Sequence, residues 1–146
     1  MRFLQDLPRI SETEQKYPGQ KLIQIKPLQK GDKVGYESTF KPKRNMTIGI
    51  LPAGYCDGLD RRLSNKGFVK INGSICKIIG LVSMNITTID ITDIKDAKVG
   101  DEVIIFSKNP SDINSISSSA AICKTIPYDL LVHLAASTRR EIINGS

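Results

Sequence analysis

The sequence predicts a mainly β fold: a compact, β-barrel-like domain with one or two short helices near the C-terminus. Three observations carry the prediction. Between Lys21 and Phe106, short segments of alternating apolar and polar residues follow one another closely, the period-2 pattern of strands with one face on a core. Asn72-Gly73 separates two of them, and this dipeptide readily takes φ > 0 at both central positions of a two-residue hairpin turn. Beyond Phe106 the pattern changes to turn residues and helix-like spacing.

The elements follow in order. Residues 1–20 are polar and irregular, contain Pro8 and "YPGQ", and read as a linker or irregular N-terminal segment. The β domain is expected over residues 21–146. "KLIQIK" alternates, and "DKVGYEST" alternates around Val34 and Tyr36. "MTIGIL", "GFVKI", "SICKIIGLVS" and "ITTIDI" continue the series with β-branched residues. "LQKGDKVGY" and "AKVGDEVII" share one device, a Gly-Asp turn that delivers the chain into a strand. "SISSSAAICKT" offers an Asn or Ser cap, although its three consecutive serines weaken it as a helix. "IPYDLLVHLAAS" is the stronger helix: Pro127 suits a first turn, Asp129 lies near the positive end, and Leu130, Leu131 and Leu134 share a stripe. A last short strand is expected around "REII".

Composition removes several function classes. A chain of 146 residues suits one domain with one core. No apolar run approaches the roughly 20 residues that span a membrane, and the start has no sustained apolar stretch of a secretory signal. The chain is expected in the cytoplasm. Cys56, Cys76 and Cys123 are odd in number and widely spaced, which argues against a disulfide framework and a zinc site and for reduced thiols. Asp90, Asp93 and Asp96 lack the glycine and glutamate of a calcium loop and read as solvated. No metal site is expected. The glycines of "GYCDGLDRR" follow a proline and do not open an apolar helix, so no phosphate loop is read there. His133, the one histidine, supports no Ser-His-Asp set.

The formal charge of +6 raises nucleic acid as a partner. The basic residues fall in scattered groups, "KPKR" at 41–44, Arg61-Arg62 and Arg139-Arg140, without the aromatic platform of an RNA-binding sheet. They read as solvated turns, with attraction to an anionic cofactor or partner domain as a further option.

Taken in order, "VGYESTF", "IGILPAGYCDGLDRRLSNKGFVKINGSICKIIGLVSMNITTIDITD", "VGDEVIIF" and "TIPYDLLVHL" resemble successive landmarks of the C-terminal domain of alanine racemase, from about Lys21 to about Ile143. That family uses pyridoxal 5'-phosphate to interconvert L- and D-alanine. The resemblance implies a partner: an N-terminal barrel domain, outside these residues, that binds the cofactor covalently on a lysine. It also implies a head-to-tail homodimer in which each β domain meets its own barrel and reaches the partner subunit's.

The resemblance assigns roles residue by residue. Racemisation removes the α-proton from one face and returns it on the other, so two bases must face each other. The barrel lysine is one. Tyr36, in "VGYE", matches the tyrosine that is the other. Tyr55 matches the tyrosine of "P-x-G-Y-x-D-G" that lines the substrate access channel, with Asp57 structural. Met84 matches the methionine whose backbone N–H meets the substrate carboxylate. Tyr128 matches the tyrosine that hydrogen-bonds the cofactor phosphate in its own subunit. Glu37 stands where the family has glycine, Ser83 and Asn85 replace cysteine and aspartate, and Phe40 lacks a hydroxyl.

The function so implied is the catalytic-tyrosine part of an alanine racemase, inactive without the barrel. Two alternatives stay open from the residues alone: a non-catalytic β module for protein association, and a small basic RNA-binding barrel.

Overall fold

The computed structural model describes residues 20–33, 40–107 and 109–132. Its strands are β1 (Gln24–Leu28), β2 (Met46–Leu51), β3 (Phe68–Ile71), β4 (Ser74–Ile79), β5 (Thr87–Asp90) and β6 (Val103–Ile104). They form one antiparallel sheet in the order β1-β2-β5-β4-β3-β6. The sheet curls until its two ends approach. Leu22 N donates to Asp101 O at 3.0 Å, Val103 N to Gln20 O at 3.0 Å, and Gly100 N to Leu22 O at 2.8 Å. The lead-in to β1 thus pairs beside β6, and the sheet becomes the barrel-like body that the alternating segments predict. The first strand starts three residues later than "KLIQIK" suggests, because Lys21 and Leu22 are used in this closure.

The β3–β4 hairpin follows from its turn. Ile71 pairs with Ser74, and Asn72 and Gly73 take φ of 49° and 79°, the doubly left-handed geometry expected of Asn-Gly. Both Gly-Asp turns form in the same way. Asp32 Oδ2 accepts from Gln29 N and Asp101 Oδ2 from Lys98 N, each at 2.8 Å, while Gly31 and Gly100 supply φ of 91° and 96°.

One face of the curled sheet encloses the main core, in which Leu51, Val69, Ile71, Ile78 and Ile89 are buried. Burying each such side chain contributes about 1.5–3 kcal/mol. A smaller cluster of Leu28, Met46, Ile48 and Ile79 packs separately, with Phe40 and Ile50 against it. Gly49 is where the lead-in crosses: a Cβ there would sit 2.7 Å from a Leu22 methyl.

Two short helices follow the sheet. Ile116–Ile122 forms despite its serines: Ser115 Oγ caps it by accepting from Ser118 N at 3.1 Å, and Ser119 and Ala120 are buried. Packing outweighs weak propensity here. Residues 127–132 are helical, and Leu130 is buried in the main core. The Val34–Tyr36 segment, His133 and the strand expected around "REII" lie outside the described residues.

No disulfide joins the three cysteines. Burial, then the nearby charges of Asp90 and Asp93, pushes the Cys76 thiol up to about 12, and burial followed by Asp60 pushes Cys123 up to about 11. Cys56 is exposed. Because the thiolate is the nucleophile, iodoacetamide at pH 8 is expected to label Cys56 alone in the native chain and all three thiols in urea. Native labelling of Cys76 or Cys123, read by mass spectrometry, would contradict this core.

Candidate functional site

After β2 the chain turns through two single-turn 3₁₀ helices, Tyr55–Asp57 and Arg61–Leu63. Asp57 builds the first. Its Oδ2 accepts from Gly54 N at 3.0 Å while its own N–H donates to Gly54 O at 2.9 Å, so it serves structure, as expected. Gly58, at φ 92°, ends that turn.

The turn lies directly on the loop after β4. Tyr55 N donates to Ser83 O and Cys56 N to Met84 O, both at 3.0 Å. This approach requires glycine at 54: a Cβ there would lie 2.1 Å from Ser83 O and 2.6 Å from Met84 C and Asn85 N. The loop is closed by Ser83, whose N–H and hydroxyl both donate to Ile86 O, at 3.1 and 2.8 Å. Met84 is left on the surface, 54% exposed. Among the described residues, none accepts a hydrogen bond from its amide.

Tyr55 and Met84, distant in sequence, therefore share one cleft of about 280 Å³, together with Arg61, Leu81, Val82, Ser83 and Asn85. The Arg61 guanidinium lies 5.4 Å from the Tyr55 ring centroid, a cation–π contact that steadies the exposed ring. The cleft is lined by a cation, an aromatic wall and a residue whose backbone N–H has no acceptor among the described residues, groups that suit a small carboxylate. Among the described residues no group of three or more His, Cys, Asp or Glu could hold a metal.

Tyr128 sits apart in sequence, half-buried on the helix at residues 127–132. Its neighbour Asp129 accepts from Arg62 Nη2 at 2.6 Å and from Thr125 Oγ1 at 3.1 Å. Arg62 also clasps Asp60 through Nε at 3.0 Å and Nη2 at 2.8 Å. Hydrogen bonds donated to Asp60, then to Asp129, push this already basic guanidinium further up. Tyr36 and Glu37 lie outside the described residues.

Two expectations need correction. Arg61-Arg62 is not merely a solvated pair: one arginine stacks on Tyr55 and the other is ion-paired. Their neighbours in the chain hint at the local partner, since Asp60 precedes Arg62 by the two residues of a cap, but Asp129 is too remote to infer. Asp90 is not solvated like the exposed Asp93 and Asp96. It is half-buried and accepts from Thr92 N at 3.0 Å and Thr92 Oγ1 at 2.5 Å.

Comparison with known proteins supplies the family. Residues 19–142 match the model of the alanine racemase C-terminal domain. An alanine racemase of Thermodesulfovibrio yellowstonii is 40% identical over 123 residues, covering 84% of this chain and 34% of that protein. One from Helicobacter pylori strain J99 is 37% identical over 123 residues, covering 84% of this chain and 32% of that protein. The crystal structure of the Bartonella henselae alanine racemase, with covalently bound pyridoxal phosphate, superposes with a TM-score of 0.71 at 32% identity, over 78% of this chain and 31% of that one. The chain thus spans about a third of the length of these relatives. With the match running from the lead-in of β1 past the Tyr128 helix, and the curled antiparallel sheet reproduced in the solved structures, the chain belongs to the alanine racemase C-terminal domain family.

Proposed function

We propose that this chain is the part of an alanine racemase that completes an active site begun on a barrel domain. The observation that carries the reading is the cleft lined by Tyr55, Arg61 and Met84, the last with a backbone N–H that has no acceptor among the described residues. There the Met84 N–H binds the alanine carboxylate, and Tyr55 walls the channel against larger side chains. Tyr36 holds or accepts the α-proton at its phenolic oxygen on one face, opposite a lysine of the barrel. A phenol titrates near pH 10, so a cation of the barrel must favour the phenolate and outweigh the adjacent Glu37.

The chain's own residues fit a subsidiary part in cofactor binding. Tyr128 offers one phenol to a phosphate, and the Asp129 carboxylate beside it is paired with Arg62. When bound, pyridoxal phosphate supplies the electron sink for the α-carbanion. Tyr128 serves the barrel of its own subunit, and Tyr36 and Met84 that of the partner, in a cytoplasmic homodimer. Exposed apolar residues near both places, Ile86 beside the cleft loop and Ile126 beside Tyr128, favour cover by another domain.

The test is the isolated chain. Without a barrel lysine it is expected to fold, and to show neither turnover of alanine nor a cofactor absorbance that L-alanine perturbs. Racemisation by the chain alone would overturn the division of roles.

A further inference from the structure

The turn Asp60–Asn65 joins two places that are far apart in sequence and that, on the reading above, serve the barrels of different subunits. On one side it holds the cleft: Arg61 stacks on Tyr55, Ser64 Oγ accepts from Val82 N at 2.8 Å, and Asn65 Oδ1 accepts from Gly80 N at 2.7 Å. On the other side it holds the helix at residues 127–132, through Arg62 and Asp129. Leu63 anchors the turn in the core. We propose that Arg62 is a positioning residue that ties the Tyr128 helix to the Asp60–Asn65 turn and offsets the charge of Asp129 beside the Tyr128 phenol. This deepens the reading above and rests on Tyr128 as a phosphate contact.

The geometry says why an ordinary surface ion pair is too small a description. Exposed pairs add little stability by themselves, and the Arg62 side chain is 45% exposed. Yet a single atom, Nη2, contacts Asp60 Oδ2 at 2.8 Å and Asp129 Oδ2 at 2.6 Å. The two carboxylates therefore lie within two hydrogen-bond lengths of each other. With the guanidinium removed they repel, and the shallow partner gives way: Asp60 is 8% exposed and Asp129 36%. Movement of Asp129 carries the preceding residue, Tyr128, with it. A phosphate dianion near Tyr128 would also lose one neighbouring positive charge.

Two measurements decide this. In the 146-residue chain, Arg62→Gln is expected to speed amide hydrogen exchange at residues 128–131 by about tenfold, leaving the Cys56 amide, bonded to Met84 O, unchanged. Adding Asp129→Asn removes the repulsion and should return exchange most of the way. Unchanged exchange in the single variant, or a double variant as fast as the single, would overturn the proposal. In the chain joined to its barrel, Arg62→Gln should weaken cofactor affinity about tenfold with the KM for alanine nearly unchanged, and Asp129→Asn should again rescue. If Tyr128→Phe weakens the cofactor and Arg62→Gln does not, the positioning role fails. If Tyr128→Phe itself has no effect, the phosphate reading of Tyr128 fails, and the proposal with it.

Discussion

Tyr36→Phe, made in an enzyme that joins this chain to its barrel, is expected to lower racemisation by about 10²–10⁴-fold, the usual cost of losing a general base. Only a hydroxyl is removed, so folding and cofactor binding should survive. The loss should also be one-sided. The enantiomer deprotonated by the barrel lysine should still exchange its α-hydrogen with solvent deuterium, while its mirror image should not. Proton NMR of each enantiomer in deuterium oxide reads both rates. Tyr55→Phe gives the contrast. It alters a wall of the cleft, so its effect should fall on apparent affinity and on discrimination against larger amino acids, alike for both enantiomers. Symmetric exchange near the parent rate in Tyr36→Phe would remove it as the second base and turn attention to Glu37.

Gly54→Ala should produce the second large effect, this time on the fold around the cleft. The added Cβ would meet backbone atoms of Ser83, Met84 and Asn85 at 2.1–2.6 Å, and backbone cannot swing aside as a flexible side chain does. Either the turn or the loop must retreat, breaking the paired hydrogen bonds from Tyr55 and Cys56. A cost of about 3 kcal/mol is expected, or a fall in Tm of roughly 10 °C for a domain of this size. Gly100→Ala is the control: its Cβ would meet nothing within 4 Å, leaving only the strain of φ 96°, about 1–2 kcal/mol. A Tm for Gly54→Ala above that of Gly100→Ala would contradict the close approach.

What was legible in the sequence is local. Asn72-Gly73 and the two Gly-Asp turns act over a few residues, and each forms as its chemistry dictates. Closure of the sheet was less legible, because it depends on Gln20–Leu22 meeting Asp101–Val103 across the whole sheet. The serine-rich helix illustrates the same limit: its propensity is poor, and burial of Ser119 and Ala120 decides it. At the site, resemblance picked out Tyr55 and Met84, but their common cleft depends on the bare backbone of Gly54. Arg62 reads as a solvated turn residue because its second partner is 67 residues away.

The central claim is that this chain supplies residues that a barrel lacks. The most direct measurement titrates the chain into a cofactor-loaded barrel piece of an alanine racemase and follows formation of D-alanine from L-alanine. Turnover is expected to appear only in the mixture, to saturate at one chain per barrel, and to be lost when the added chain carries Tyr36→Phe. A stable chain–barrel complex that remains inactive at saturation, or activity indifferent to that substitution, would contradict the account.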